Sequence, residues 1–266
     1  MADVITAWRR SLVGEICWTT ERERPGVLAA VPLLHEGLPC VALPYALAER
    51  VDRLRAATSA AFVITDATTS TQPAAAAVGP VEVVDDLDGD WFTEVLLPQE
   101  LVKHPPSRTY GDSPLLRREN WWWLPRIVVR LRSIERVVEL AGRDDPARDA
   151  LLVRDDGSGL RLDVVAPASS ADWSRPRLPL SSRTGALRGD GAHVLAFGHA
   201  YTVDLERWET WSVRGTLRGD ELVVTDRDGT PDGDLQPLRL GERLRRQRAL
   251  ERACRRGISA AERRRR

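Results

Sequence analysis

Short runs of branched apolar residues, each ended by glycine, proline or aspartate, recur along the 266-residue chain. In "GVLAAVPLLHEGLPCVALPYAL" (26–47) the residues "HEGLP" separate two such runs, a pattern typical of a β-hairpin. "SAAFVITDA" (59–67) and "AAAVGPVEVVDD" (75–86) predict two further strands. Gly79 and Pro80 interrupt the second of these, which indicates a bulge or an edge position.

Helical patterns in the first half are short. "AERVDRLRAAT" (48–58) predicts a helix because Val51 and Leu54 are three residues apart. "GDWFTEVLLPQELVKH" (89–104) predicts a second helix, which Pro105 and Pro106 end. Residues 4–18 indicate a helix or an extended arm, and "PPSRTYGDSP" (105–114) a polar loop. We therefore expect a mainly β fold with short helices.

Three consecutive tryptophans stand in "RENWWWLPRIVVRL" (118–131), at the start of a predicted long strand, 121–140. Side chains alternate between the two faces of a strand, so Trp121 and Trp123 would share one face and Trp122 the other. One interpretation makes these rings core or an inter-barrel contact, and the other makes them a wall for a flat ligand.

The second half repeats this arrangement of strands. "AGRDDPARD" (141–149) is a charged connector, where we place a domain boundary. A hairpin is predicted over 149–169, a strand over 193–197, and a second hairpin over 208–226 with its bend at 218–220. Residues 60–66 align with 193–199, and 77–86 with 212–221, which indicates a weak internal duplication. The predicted units are 1–140, 141–238 and a basic tail, 239–266.

Charge is spread unevenly in a chain whose net charge is zero. The tail from Arg239 holds twelve arginines and three glutamates, a net charge of +9, so the rest carries −9. We expect the tail to form an amphipathic surface helix rather than a nucleic-acid site, because no recognition motif is visible. Its partial apolar stripe consists of Leu240, Leu244, Leu250 and Cys254.

Cysteine and histidine usage excludes several classes of site. The three cysteines are scattered without a CxxC pair, which indicates a reducing compartment. The four histidines are also far apart, so no metal site is expected. No apolar run reaches membrane-spanning length, and the N-terminus lacks the pattern of a secretory signal. We expect a cytoplasmic protein.

The order of three motifs resembles that of the FMN-binding split-barrel family, also called pyridoxamine 5′-phosphate oxidase-like proteins. "EGLPCVALPYAL", "AVGPVEVVDD" and "ENWWWLPRIVVRLRSIERV" resemble its first hairpin, its central strand and its closing strand. The resemblance covers residues 18–140, and 150–225 only in outline. It implies two split β-barrels that form an internal pseudo-dimer in one chain, or a homodimer.

Members of this family bind FMN, and some bind the deazaflavin F420 or haem, in a groove between two barrels. The resemblance therefore implies an FMN-binding oxidoreductase that acts on a small molecule, with F420 or haem as alternative cofactors. No catalytic residue is assigned. In the second half Thr184 is a further polar group beside the candidates. The candidate cofactor residues are Arg53, Arg55, Thr58, Ser59, Trp121, Trp123, Arg126, Arg183 and His199.

The only lysine, Lys103, lies in a different segment from the lysine that the family usually places at its phosphate site. This departure leaves a second interpretation open. In that interpretation the chain is a non-catalytic cofactor-binding or regulatory module of the same fold.

Overall fold

The computed structural model describes residues 2–20, 24–67, 73–111, 120–157, 159–168 and 171–266. The fold is mainly β with short helices, as predicted, and it contains two antiparallel sheets. The strands of the first sheet all come from the N-terminal half of the chain, and those of the second sheet from the C-terminal half. We call them the first sheet and the second barrel.

The first sheet has the strand order β2-β1-β5-β6-β7-β4-β3, with β8 also paired to β6. Inward residues from every part of this order share one apolar core, so the sheet curls around it. Its strands are β1 (Gly14–Thr19), β2 (Pro25–Ala30), β3 (Leu33–His35), β4 (Leu38–Pro44), β5 (Ser59–Ile64), β6 (Ala75–Asp86), β7 (Arg126–Leu131) and β8 (Arg136–Glu139).

The second barrel is closed, with the order β10-β11-β14-β13-β12-β9. The predicted hairpins 149–169 and 208–226 are confirmed as β9–β10 and β13–β14, whereas β11 was not predicted. Its strands are β9 (Ala150–Asp155), β10 (Leu160–Pro167), β11 (Arg177–Ser182), β12 (Gly189–Tyr201), β13 (Trp208–Gly219) and β14 (Glu221–Asp228).

Helices cover the edges of these sheets. The predicted helix 48–58 is confirmed over a shorter range, and the predicted helix 89–104 is confirmed as a wide turn that continues into a regular helix. The helical segments are α1 (Ala2–Arg10), a 3-10 turn (Tyr45–Leu47), α2 (Ala48–Leu54), the wide turn (Phe92–Leu96), α3 (Leu97–Lys103), α4 (Pro105–Gly111), a second 3-10 turn (Trp121–Trp123) and α5 (Leu240–Arg265).

The hairpin predicted within 26–47 is β3–β4, and its turn is only two residues long. Glu36 and Gly37 both have positive φ, 52° and 78°, which is the geometry of a type I′ turn. The earlier part of the segment, β2, pairs with β1 instead. The segment 4–18 is likewise divided between the helix α1 and the strand β1.

Two sequence predictions for the N-terminal half are wrong, one about strand β6 and one about the polar loop 105–114. Strand β6 is neither bulged nor at an edge; it pairs with β5 up to Pro80 and with β7 from Val81. Gly79 is required there because a Cβ would lie 2.0 Å from the carbonyl oxygen of Ser133. Residues 105–111 of the predicted polar loop form α4, while 112–114 lie outside the described residues.

The predicted long strand 121–140 is also wrong. Its first residues form the 3-10 turn, and the rest is divided into β7 and β8. Trp122 and Trp123 are buried in the core of the first sheet, whereas Trp121 is 41% exposed. The alternation of faces that a strand would impose therefore does not apply to the three tryptophans.

The basic tail forms the helix α5, which packs on the first sheet. Cys254, Ile258 and Ala261 are buried against it. A Cβ on Gly257 would lie 2.2 Å from the carbonyl oxygen of Tyr45, so the backbones approach closely. The Arg255 guanidinium lies 4.9 Å from the centre of the Trp121 ring, a cation–π contact. Within the described residues, no helix is long and apolar enough to span a membrane.

A second apolar layer joins the two halves. The face of the first sheet that points away from its core packs against the outer face of the second barrel. The layer contains Cys17, Val27, Ala61, Val63, Ala76 and Val78 from the first sheet and Leu151, Val153, Leu160, Leu162, Leu195 and Phe197 from the second barrel. Burial of this apolar area fixes the position of the two halves relative to each other.

Candidate functional site

The interface between the two halves has two different ends, which lie at opposite ends of β1 and β12. Glu15 of β1 and His199 of β12 lie at one end of the interface. Trp18 of β1 and His193 of β12 lie at the other. We call the end with Trp18 and His193 the open end, because a groove enters there. We call the end with Glu15 and His199 the closed end, because both side chains are fully buried.

The groove at the open end has a volume of about 900 Å³, within the range of small-molecule sites. Its apolar lining includes Trp18, Val27 and Val194. The Trp18 ring lies against Gly26, where a Cβ would be 2.3 Å from a ring atom. The charged and ionisable side chains that line it are Arg24, Arg50, Arg53, Arg214, His193, Glu49, Asp226 and Asp228.

Four arginines from three segments converge at this groove: Arg24 before β2, Arg50 and Arg53 of α2, and Arg214 of β13. Arg214 of β13 is half-buried and donates a hydrogen bond to the carbonyl oxygen of Pro25, 3.0 Å away. Burial lowers the pKa of Arg214, and the neighbouring cations Arg53 and Arg24 lower it further. A site where neighbouring cations lower the pKa of Arg214 favours the binding of an anion.

The cations of the groove are only partly neutralised. Arg50 donates to the carbonyl oxygen of Val27, 3.2 Å away. Burial lowers the pKa of Arg50, while Asp228 opposes this shift and Arg214 adds to it. In the part of the chain that the structure describes, Arg24 and Arg53 have no carboxylate within ion-pair distance. Arg50 and Arg214 are likewise without an ion pair but are held by backbone carbonyls, whereas Arg24 and Arg53 make no hydrogen bond within the described residues and are exposed to a ligand.

The closed end holds a buried ionic network. Glu15 of β1 accepts a hydrogen bond from Thr65, 2.5 Å away, and forms an ion pair with Arg143 of the connector at 3.2 Å. His199 Nε2 lies 2.9 Å from Glu15 Oε1 and 2.6 Å from Arg143 Nη2. Tyr201 adds a hydrogen bond to Asp66 beside the network. This network links β1, the connector and β12.

Burial and the Arg143 cation both lower the pKa of His199, which therefore holds a neutral ring. Burial opposes ionisation of Glu15, but the hydrogen bond with His199, the charge of Arg143 and the hydrogen bond from Thr65 outweigh it and lower the pKa of the carboxyl. Glu15 and Arg143 therefore form a buried ion pair. Glu15 Oε2 and His199 Nδ1 have no hydrogen-bond partner among the described groups.

Of the nine candidate cofactor residues, the structure places Arg53 at the groove. Arg55 forms ion pairs with Asp52 and Asp85 instead. Thr58 is exposed, and the Ser59 hydroxyl donates to the carbonyl oxygen of Gly79. Arg55, Thr58 and Ser59 therefore face other surfaces. Their positions do not favour a cofactor role, which stays a prediction.

The remaining candidates are further from the groove. Trp123 and Arg126 lie in the core of the first sheet, where the Arg126 guanidinium is 4.5 Å from the Trp123 ring centre and 3.8 Å from Glu100. Arg183 forms an ion pair with Asp149 at 2.8 Å. Trp121 lies beneath Arg255 of α5, His199 lies in the closed end, and Thr184 is bonded to Ser182.

Lys103, the only lysine, binds backbone carbonyl groups of the first half and is not at the groove. The Lys103 ammonium donates to the carbonyl oxygens of Trp8 and Pro32, at 3.1 and 2.6 Å. Burial lowers its pKa to about 7. Lys103 does not line the groove, where arginines supply the positive charge.

Sequence reasoning missed most of the groove residues. Arg50 could have been predicted from the sequence, because it stands three residues before Arg53 on α2 and shares its face. Arg214 lies in the segment 212–221, which the internal alignment pairs with 77–86. Trp18, Arg24 and His193 carried no local signal, because only the packing of the two halves brings them together.

No family model matches the chain, and no curated protein matches it. Among solved structures, the haem storage protein HutZ from Vibrio cholerae is 12% identical, with a TM-score of 0.37 over 53% of this chain and 95% of that chain. A pyridoxamine 5′-phosphate oxidase-related, FMN-binding protein from Nostoc punctiforme is 10% identical, with a TM-score of 0.31 over 68% and 94%.

A haem-binding protein from Mycobacterium smegmatis is 14% identical, with a TM-score of 0.31 over 96% of this chain and 98% of that chain. These identities and TM-scores are low. The likeness to the three structures therefore establishes neither a family nor a function for this chain.

Proposed function

We propose that this chain binds an anionic, planar cofactor of the flavin type, FMN or F420, in the groove at the open end of the interface. The observation that carries the proposal is the convergence of four arginines on one groove, with Arg24 and Arg53 unpaired within the described part of the chain. Guanidinium groups bind phosphate through paired, charge-assisted hydrogen bonds. The sequence resemblance to FMN-binding split barrels points to the same class of ligand.

The lining of the groove suits the two parts of such a cofactor. Arg24, Arg53 and Arg214 would bind the phosphate, and the ring system would lie along the apolar lining of Trp18 and Val27. A flavin supplies hydride or electron transfer when bound. The chain's own contribution would be to hold the phosphate, to orient the ring against a small-molecule substrate, and to shield one face of the ring from water.

Haem is the second candidate, and His193 is the observation that favours it. Haem needs a side chain that can reach its iron, and neutral histidine is a common ligand. His193 lines the groove and is exposed, whereas Nε2 of the buried His199 is occupied by Glu15 and Arg143. A haem ligand in this chain would therefore be His193 rather than His199.

The binding proposal is tested by titrating the purified protein with FMN, F420 and haem. Flavin binding would be seen as a change in flavin fluorescence and a raised melting temperature. Haem binding would be seen as a Soret band that the variant His193→Ala loses and His199→Ala retains. If none of the three ligands changes absorbance, fluorescence or melting temperature, the proposal is wrong.

The variant Arg24→Gln/Arg53→Gln tests whether the ligand binds in the groove. Each lost charge-assisted hydrogen bond weakens binding by about tenfold or more, so the double variant should weaken FMN binding by roughly 100-fold. The matched control is Arg9→Gln/Arg10→Gln, which removes two exposed arginines from α1, outside the groove. Equal weakening by both variants would show that net charge, and not the groove, determines affinity.

An oxidoreductase and a non-catalytic module differ in what happens to the bound cofactor. In an oxidoreductase, a nicotinamide donor would reduce the bound flavin, and a small-molecule acceptor would reoxidise it over repeated cycles. In a binding or regulatory module, the cofactor would stay bound without turnover. Stopped-flow absorbance of the flavin band, with and without the donor, distinguishes the two.

A further inference from the structure

One face of α5 carries a continuous row of exposed arginines. At 3.6 residues per turn its members fall within an arc of about 80°, and they extend over about 30 Å of helix. Gly241 and Ser259 also fall within this arc, and Ala249 and Arg255 lie about 20° outside it. We call this set the arginine row; it consists of Arg245, Arg248, Arg252, Arg256 and Arg263, all exposed.

The arginine row differs from the other arginines of the same helix in having no acidic partner. Arg243 and Arg246 pair with Glu206 and Glu209 of the second barrel, and Arg264 pairs with Asp52. Arg255 pairs with Glu251 on the helix itself. Across the described residues, by contrast, no carboxylate lies within ion-pair distance of any member of the row.

The opposite face of α5 holds the row in a fixed position. Cys254, Ile258 and Ala261 are buried on the first sheet, and Gly257 lies against the backbone of Tyr45. The ion pairs of Arg243 and Arg246 attach the start of the helix to the second barrel. The row is therefore a rigid, linear array of cations on a helix that spans both halves of the molecule.

We propose that the arginine row is a docking surface for double-stranded nucleic acid, which it contacts through the phosphate backbone without reading the base sequence. A duplex is a rigid polyanion with one negative charge for about every 1.7 Å of its axis. A straight row of guanidinium groups about 30 Å long complements such a rod, and each group binds a phosphate in a bidentate manner. Binding through phosphates needs no base-recognition motif.

The composition of the row favours a duplex over other polyanions. A membrane-surface helix needs large apolar residues beside its cations along its length. On α5 the exposed leucines, Leu240 and Leu244, are confined to the first turns, and Cys254 and Ile258 beside the rest of the row are buried against the first sheet. Single-stranded nucleic acid is held by stacking on exposed aromatic rings, and the row contains none. Trp121, the nearest exposed aromatic side chain, is already covered by Arg255.

The experiment measures binding of a fluorescein-labelled DNA duplex of about 25 base pairs by fluorescence anisotropy, at a series of salt concentrations. Each phosphate contact contributes about −0.9 to the slope of log K against log salt, so the full row should give a slope of about −4 to −5. The triple variant Arg248→Gln/Arg252→Gln/Arg256→Gln should reduce the steepness by about 2 to 3 and weaken binding at low salt by tenfold or more.

A matched control removes the same charge from another surface. Arg177→Gln/Arg188→Gln/Arg218→Gln changes three exposed arginines of the second barrel and should leave the slope unchanged. Melting temperature checks that both triple variants are folded. A mixed-sequence and an A/T-only duplex should bind equally.

Four results would overturn the proposal: no salt-dependent binding by the wild-type protein, equal slopes for the two triple variants, preference for one sequence, or binding only to vesicles of phosphatidylglycerol. Because none of the substituted residues lines the groove, these results are independent of cofactor binding.

Discussion

Strands β1 and β12 run through both ends of the interface, and each end holds arginine and histidine side chains, yet the two ends have opposite physical character. At the closed end, the cation Arg143 is buried against Glu15 and completes the network around His199. At the open end, Arg24 and Arg53 stand in a groove of about 900 Å³. The apolar layer that contains Leu195 and Phe197 separates the two ends.

This difference shows how the position of a charge determines its use. A buried cation must have a partner, because an uncompensated charge in a dry interior is costly. Arg143 therefore contributes to the joining of the two halves and leaves no room for a ligand. A cation that water reaches has no such requirement, and under the proposed function Arg53 would exchange its water for the phosphate of the cofactor. The predictions below test this division.

The largest expected effect is at the closed end. Arg143→Met should lower the free energy of unfolding by about 3–5 kcal/mol, because it leaves the buried Glu15 carboxylate unpaired. Urea denaturation measures the loss. In the double variant Glu15→Gln/Arg143→Met most of the stability should return, since no buried charge remains. Equal losses in the single and double variants would show that packing, not charge, is what Arg143 contributes.

The second prediction compares two glycines that face tryptophans in the same way. Gly26 pairs with Trp18 at the open end, and Gly198 pairs with Trp211 in the second barrel. At either glycine a Cβ would lie 2.3 Å from a ring atom, so the ring has to move. Each glycine-to-alanine variant should cost about 1–3 kcal/mol of stability.

Only the variant at Gly26 should also weaken ligand binding, because Trp18 lines the groove and Trp211 lies in the core of the second barrel. Urea denaturation and FMN titration of the two variants measure both quantities. Unchanged affinity in Gly26→Ala would remove Trp18 from the proposed cofactor site.

Much of the fold could be predicted from the sequence, because the residue patterns that indicate strands are local. The branched residues of 59–67 and the residues "EG" of the first hairpin identify β5 and the β3–β4 turn without tertiary information. The tryptophans 121–123 misled for the same reason. Aromatic residues favour a strand locally, but packing of Trp122 and Trp123 into the core selects a 3-10 turn.

Less of the candidate site could be predicted from the sequence, because the site is formed by contact between the two halves. Arg24 and Arg214 are far apart in the sequence and meet only where β2 approaches β13. His199 was predicted from its place in the internal alignment, but the alignment contains no information about Arg143, whose connector has no counterpart in the first half. The sequence located the strands of the interface and not the identity of its two ends.

The third prediction concerns pH. The folded pKa of His199 is below its unfolded value, so its contribution to stability is fully present above about pH 6.5. As the pH falls below this, the unfolded chain binds a proton that the folded protein does not, and stability decreases by at most about 1.4 kcal/mol per pH unit. Glu15, whose pKa is also lowered, acts in the same direction at lower pH.

Urea denaturation between about pH 7.5 and 5.5 measures this dependence. The variant His199→Gln should be less stable at neutral pH and should show a smaller decrease on acidification. The exposed His193 of the open end serves as the control, and His193→Gln should retain the wild-type pH dependence. If the profile of His199→Gln equals that of the wild type, another group is responsible for the acid sensitivity.

The smallest effect is expected away from both ends, at Trp121. Its ring is 41% exposed and contacts Arg255 of α5, and a cation–π contact at such a site is worth about 0.5–1 kcal/mol. Trp121→Ala should therefore lower stability by less than about 1 kcal/mol and leave FMN affinity unchanged. Thermal denaturation and FMN titration measure the two effects. A clear loss of affinity in Trp121→Ala would instead place the cofactor beside α5, and the contrast between the two ends would no longer explain where the ligand binds.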